Sequence, residues 1–336
     1  MKSIVFNEYG GPEVMSIQET AEPETHNRHV KIKVMAAGIN PVDWKTRAGF
    51  LKRVLKLDFP VKMGMDCAGE VVEVGMRARN TKVGDRVYAY TGANNMGTLS
   101  EFITVEKTDI APMPESLGFE EAASLPLVGL TAWQVLVDIM KLKEGQKIFI
   151  HCGSGGVGTV AIQLAKHIGA EITTTASAKN HAKLLELGAT RCIDYTTEDY
   201  TSLGSEFDAV FAITGDDDLL NSFKLVKPGG IVVAITTLPD EETAKQLGLG
   251  FLARLFLRKQ NKPILEAAKK AEAEYRFWAV QPSEAQLRRI AELVDRGALK
   301  PTIDSIHDFE QFKEAFLHLE QGHARGKVVI RTTPSN

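Results

Sequence analysis

The stretch Gly153-Ser154-Gly155-Gly156-Val157-Gly158 constrains this chain more than any other. Gly153, Gly155 and Gly158 stand in the G-x-G-x-x-G register. The apolar run Ile148-Phe149-Ile150 before them reads as a strand, and Thr159–Lys166 after them reads as a helix. That strand–turn–helix setting is what gives the pattern meaning. The first glycine permits a tight turn, the second lets the backbone approach a pyrophosphate, and the third lets the helix pack closely on the strand. The helix start adds unpaired N–H groups and a positive dipole end. Residues 153–158 are therefore candidate cofactor-binding residues, and the surrounding sheet is expected to be parallel.

The flanking pattern agrees. Residues 1–123 show short β-rich runs, Lys2–Phe6, His29–Ala37, Cys67–Val74, Arg86–Tyr90 and Ser100–Val105, separated by Gly and Pro. This spacing predicts a small barrel or sandwich. Beyond residue 120, strands alternate with helices: strands at Gln146–His151, Glu171–Ala176, Cys192–Asp194, Phe207–Thr214 and Ile231–Thr236, helices at Gly158–His167, Asn180–Leu187 and Leu219–Val226. The alternation predicts a doubly wound α/β sheet. The last of these helices is expected to stop at Lys227-Pro228-Gly229-Gly230, because proline cannot continue the ladder. Pro239–Ala273 looks charged and helical, Tyr275–Val280 reads as a strand, and Ser283 caps a helix running to Gly297. Leu247–Leu257 carries leucine and phenylalanine nearly all round a helix. It either packs in the core or covers the substrate as a lid.

An enzyme that binds NAD usually presents Asp or Glu at the end of the second strand, to bond the ribose 2′-hydroxyl. Here Thr173–Asn180 contains no acid. Ser177 offers a donor and Lys179 a charge, both suited to a 2′-phosphate. The expected cofactor is NADP, as NADPH.

Net charge is −3 with both signs interspersed, which gives no basic field for nucleic acid. The most apolar run is too short to span a bilayer and Arg254 interrupts it. The three cysteines, Cys67, Cys152 and Cys192, are far apart and form no Cys-x-x-Cys. This predicts neither a disulfide framework nor a cysteine zinc cage, and a reducing, cytoplasmic setting. No histidine stands in a metal-binding spacing, so no metal is expected.

Several further stretches, in order, carry a specific resemblance: Ala36-Ala37-Gly38-Ile39-Asn40-Pro41-Val42-Asp43, Gly64-Met65-Asp66-Cys67-Ala68-Gly69-Glu70-Val71, Val83-Gly84-Asp85-Arg86-Val87, Gly97-Thr98-Leu99-Ser100-Glu101-Phe102, Leu125–Ala132 and Gly322–Ile330. Over nearly its whole length the chain resembles the medium-chain dehydrogenase/reductase superfamily, in its zinc-free quinone oxidoreductase (zeta-crystallin-like) branch. The resemblance implies a GroES-like β-barrel domain, residues 1–124 and 282–336, and a Rossmann doubly wound parallel sheet domain, residues 125–281. Zinc-bearing relatives carry a cysteine at or near Asn40 and Gly-His-Glu at Gly64-Met65-Asp66, and this chain lacks both.

By the same resemblance, Asn40 and Lys45 are the candidate catalytic residues, although the family often has tyrosine near position 45 and Lys45 alternatively reads as a solvated helix residue or a cofactor contact. Ser177, Lys179 and Tyr195 would surround the 2′-phosphate, Thr131 would lie near the pyrophosphate, and Thr214, Thr236 and Leu238 would approach the nicotinamide ribose. Arg325 would reach the cofactor from a late loop. The implied activity is NADPH-dependent hydride transfer to quinones or α,β-unsaturated carbonyls. An enoyl-thioester reductase, or a non-catalytic NADPH-binding redox-responsive protein, are the alternatives. The expected partners are a small-molecule substrate and a second copy in a homodimer, with Tyr275–Val280 as an edge strand that invites pairing.

Overall fold

A computed structural model describes residues 1–52, 55–246, 248 and 250–332, without the side chains of Gln246 and Leu252. The chain divides into two compact units, residues 1–130 with 281–336, and residues 131–280.

The first unit begins with eight strands: β1 (Lys2–Phe6), β2 (Met15–Glu19), β3 (His29–Ile39), β4 (Val61–Lys62), β5 (Asp66–Val74), β6 (Arg86–Tyr90), β7 (Phe102–Glu106) and β8 (Ile110–Pro112). β2, β4 and β8 are not among the expected runs; β4 and β8 are too short, at two and three residues, to show alternation. The second unit holds β9 (Lys147–Ile150), β10 (Glu171–Thr175), β11 (Arg191–Ile193), β12 (Phe207–Ala212), β13 (Val226–Ala234) and β14 (Glu274–Phe277). The chain then returns to the first unit with β15 (Ile303–His307) and β16 (Lys327–Arg331).

In the first unit a three-stranded sheet, β2-β1-β4, accompanies a seven-stranded one, β15-β16-β3-β5-β6-β8, with β7 also on β3. β3 organises the larger sheet. One of its edges pairs with β5, while the other takes β7 on His29–Lys33 and β16 on Ala36–Ile39. Alternate side chains of a strand face opposite ways, and β3 uses both faces. Val30, Ile32 and Val34 pack with Cys67, Val87 and Ile110. Past the register shift between Val34 and Ala36, Ala37 and Ile39 join the other cluster, with Phe6, Met63, Phe312 and Phe316.

The helix Glu284–Asp295 starts at Ser283, whose Oγ accepts from the Gln286 N–H. Its Leu287, Ile290 and Val294 are buried, as the periodicity predicts. The buried Tyr88 hydroxyl ties this helix to β6 by donating to the Leu287 carbonyl at 2.5 Å.

In the second unit the six strands lie in the order β11-β10-β9-β12-β13-β14, all pairs parallel. This is the doubly wound order whose switch point lies beside its first strand, here β9. Two readings need correction. The helix preceding β13 ends at Leu225, but Lys227-Pro228-Gly229-Gly230 is no free loop: it lies within β13, over a register shift against β12. Gly229, at φ +78°, takes the bend and its N–H reaches the Glu272 carbonyl. The apolar segment Leu247–Leu257 is also not a helix buried all round. Leu247, Leu249 and the Leu252 side chain lie outside the described residues; the helix Phe251–Gln260 buries Leu257 but exposes Phe251, Leu255 and Phe256. No helix among the described residues is long and apolar enough to cross a membrane.

Tyr88→Phe removes one buried hydrogen bond with little change of volume. It is expected to lower unfolding stability by about 1 kcal/mol, seen as a lower urea midpoint at unchanged m.

Candidate functional site

The glycine turn is built by steric necessity. A Cβ on Gly153 would lie 2.2 Å from the Thr174 Oγ1, and one on Gly158 would lie 2.3 Å from the Cys152 carbonyl oxygen. The first of these glycines lets β10 lie close, and the last lets the helix Gly156–Ile168 start directly over the turn. Cys152 adopts φ +51°, the left-handed region that glycine favours. Its N–H is held by the Thr175 Oγ1 at 3.1 Å, and the Gly153 N–H by the Thr175 carbonyl at 2.9 Å. With Ser154, Gly155, Gly156 and Val157 between them, these anchors leave the first-turn N–H groups of the helix to face a ligand. A dinucleotide pyrophosphate fits such a cradle. His151, just before the turn, is buried against Phe149 and 3.0 Å from the Ser222 Oγ. Burial pushes its pKa down to about 4, so it is a neutral packing residue at pH 7.

Ser177 follows β10 and starts a short turn, its Oγ accepting from the Asn180 Nδ2 at 3.2 Å. Lys179 and Tyr195 are exposed. Sequence reading missed Asp194. Its carboxylate caps this region, accepting from the Ala178 N–H at 3.2 Å and from Thr196. Those bonds hold its pKa below the ordinary range. Further along the carboxyl edge, the Thr236 hydroxyl donates to the Thr214 carbonyl, while the Thr214 Oγ1 is buried with no hydrogen-bond partner among the described residues. Leu238 is exposed and Thr131 buried.

In the first unit a set of charged groups meets in the core. Asn40 follows β3 and precedes the helix Pro41–Arg47; its N–H donates to the Asp43 Oδ2 at 2.7 Å. Its Nδ2 donates to the Asp66 Oδ2 at 2.9 Å, and its Oδ1 accepts from the Lys327 ammonium. Lys327 also reaches the Asp66 Oδ2 at 3.1 Å, and the Leu127 N–H donates to the Asp66 Oδ1 at 2.8 Å. All four side chains are at most 5% exposed. Burial raises the Asp66 pKa, against the pull of Lys327 and Asn40. Burial also pushes Asp43 up to about 7, and the Asp43 Oδ1 has no hydrogen-bond partner among the described residues. Lys45 lies on the same helix with its Nζ 5.8 Å from the Trp44 ring centroid, and Arg325 is exposed, its N–H on the Asp304 carboxylate.

Asp43, Asp66 and Lys327 were not among the site residues expected from the sequence. The signal was a lone acid in the buried run Met65–Ala68 and a lone lysine opening Lys327-Val328-Val329-Ile330.

Together, a doubly wound sheet with a pyrophosphate turn and a β-rich unit with a buried polar cluster define a dinucleotide-dependent oxidoreductase. The family model "Alcohol dehydrogenase GroES-like domain" matches residues 26–115, and "Zinc-binding dehydrogenase" matches residues 187–330. The chain is 32% identical to the "NAD(P)H oxidoreductase RTN4IP1, mitochondrial" of Danio rerio, over 98% of this chain and 91% of that one. It is 33% identical to the "NADPH-dependent alkenal/one oxidoreductase, chloroplastic" of Arabidopsis thaliana, over 99% and 80%. The solved quinone oxidoreductase of Coxiella burnetii superposes with a TM-score of 0.86 at 35% identity, over 98% of this chain and 99% of that one. The chain belongs to the medium-chain dehydrogenase/reductase superfamily, in its zinc-independent quinone and enone oxidoreductase branch.

One expectation is overturned. Relatives whose names state a compartment are mitochondrial or chloroplastic, not cytoplasmic. Sparse cysteines speak for reducing surroundings and do not select a compartment.

The word zinc in the second family description does not suit these residues. Among the described residues, no three His, Cys, Asp or Glu side chains come together as a metal ligand set. Where Asn40 and Asp66 meet, the third group is an ammonium, which has donors only and repels a cation.

Asp43 yields a test of the cluster. Its folded pKa, about 7, lies above its ordinary value of 3.8. The folded state therefore holds an extra proton between these values, and the contribution to stability is full below the lower one and lost as pH rises through the upper. Asp43→Asn keeps an acceptor for the Asn40 N–H but cannot ionise. Measured by urea unfolding, its stability relative to wild type is expected to improve from pH 5 to pH 8.

Proposed function

We propose that this protein reduces quinones and α,β-unsaturated carbonyls with NADPH, without a metal. The observation that carries this is the Lys327 ammonium bonded to both Asn40 and Asp66, where a zinc enzyme would need ligands. Without a Lewis acid, a plain ketone is hard to activate. A conjugated acceptor needs less, because negative charge delocalises onto its oxygen and hydrogen-bond donors can stabilise it. The names of the alkenal/one and quinone oxidoreductases among the relatives support the same substrate class.

NADPH, when bound, supplies the hydride. The glycine turn and the helix start Gly156–Gly158 hold the pyrophosphate, with Thr131 nearby. Ser177 and Lys179 hold the 2′-phosphate beside Tyr195, and Thr214, Thr236 and Leu238 line the way to the nicotinamide ribose. Asn40 and Lys45 would lie near the nicotinamide and substrate, Lys45 holding the carbonyl or the cofactor ribose, and Arg325 would add a cofactor contact. An enone would take the hydride at its β-carbon and a quinone on its conjugated ring system, and water would protonate the resulting enolate or hydroquinone anion. The domain assignment, 1–124 with 282–336 for the GroES-like part and 125–281 for the Rossmann part, belongs to this proposal.

With NADPH and EDTA, a panel of enones and quinones is expected to turn over, free enones better than their CoA thioesters. No turnover above background on any of them sinks the proposal. Lys179→Glu is expected to lower kcat/KM for NADPH by about tenfold, the size of one lost charge-assisted bond, and to leave NADH nearly unchanged.

The outer edge of β14 is the proposed meeting place of a homodimer, since an edge strand offers unpaired backbone groups. Sedimentation velocity should show a dimer that Tyr275→Pro, which removes an outward-facing N–H from that strand, converts to monomer. A wild-type monomer at micromolar concentration rejects the assignment.

A further inference from the structure

We infer that Lys327 is a positioning residue: together with Asp66 it fixes which way the Asn40 amide points. This rests on the reading of Asn40 as a substrate-facing donor.

The argument is one of donors and acceptors. An amide has two ends that differ only in hydrogen bonding. Lys327 can only donate, so it must face the Asn40 Oδ1. An ionised Asp66 can only accept, so it must face the Asn40 Nδ2, at 2.9 Å. The reverse orientation would set ammonium against NH2 and carboxylate against carbonyl oxygen. The Asn40 N–H is pinned separately, on Asp43 at 2.7 Å. The Asp43 carboxyl also faces the Asn40 side chain, and which end of the amide points where is set by the Lys327–Asp66 pair.

Stability alone does not call for this arrangement. A buried ion pair returns little net stability, and neutral replacements of similar volume are commonly tolerated. Orientation is a different quantity, and donors misplaced by about an ångström cost up to a hundredfold in rate. The cluster also explains the mismatch with the zinc description: the cation here is covalently part of the chain.

The central test is the double variant Lys327→Met/Asp66→Asn. It removes both charges together, so no buried ion is left unpaired. The amide introduced at position 66 can donate to the Asn40 Oδ1 and accept from the Leu127 N–H, which favours the reversed Asn40 amide, its NH2 then facing the methionine at position 327. The expected result is a melting temperature near that of wild type, NADPH affinity within about twofold, and kcat on an enone lower by about thirtyfold. Lys327→Arg, also a pure donor, is expected to keep at least about a tenth of kcat. In an Asn40→Ala background the double substitution should change kcat by less than about twofold, because its target is gone.

A folded double variant with kcat close to wild type overturns the inference. So does an equal loss in the Asn40→Ala background, or Lys327→Arg as impaired as the double variant. A second readout needs no turnover. In protein labelled with 15N-asparagine, the Asn40 side-chain NH2 pair, assigned by its loss in Asn40→Ala, should shift strongly in the double variant. An unchanged pair rejects the inference even where the enone panel fails, so the two failures are told apart.

Discussion

The antiparallel pairing of β16 with β3 is the constraint on which the first unit depends. Val328 opposite Ile39 and Ile330 opposite Ala37 set the register. That register puts Lys327, one residue before the pairing, beside Asn40, one residue beyond it. β5 pairs on the other edge of β3 and starts at Asp66. One strand end and two strand starts thus meet around a single ammonium. A slip of one residue would turn the side chains to the opposite face, leaving Asn40 and Asp66 buried without their cation. Loss of one partner from a buried pair costs roughly 3–5 kcal/mol, so the register is enforced by charge as well as by Val328 and Ile330 in the core.

The dinucleotide turn was legible because its information is local. Strand, glycines and helix are contiguous, and the contacts that forbid a Cβ at Gly158 come from Cys152 and Gly153, a few residues away. The alternation of strands and helices likewise announced the parallel sheet. The charged cluster was not legible, because its members are 26 and 287 residues apart along the chain. A lysine at the start of a strand looks like a solvated residue, and only the fold reveals that Lys327 is 5% exposed. Local rules also misread Lys227–Gly230. Proline and glycine usually end regular structure, yet here they lie within a strand across a register shift, with the bend taken by Gly229. Asp194 escaped notice because it follows the third strand rather than the second, and reaches Ala178 only through the pairing of β10 with β11.

The fold and the chemistry separate cleanly in this chain. The GroES-like and dehydrogenase descriptions follow the fold, which accommodates zinc and zinc-free sites alike. What differs is a handful of side chains at Asn40, Met65 and Asp66. An ammonium in place of a metal cannot accept an oxygen lone pair into a vacant coordination site, but it can orient dipoles. The chemistry follows from that difference: activation by directed hydrogen bonds suits acceptors that already delocalise their charge.

The return of the chain to its first unit also orders its biosynthesis. Asn40, Asp43 and Asp66 leave the ribosome well before Lys327, and the whole of β9–β14 is made in between. Domains tend to fold as units during synthesis, so the parallel sheet has its complete set of strands while the β-rich unit still lacks β15, β16 and Lys327. Until then its carboxylates stay in water, where they are cheapest to hold. The unit that emerges first is therefore the one that closes last, and its closure is the moment at which Asn40 acquires an orientation.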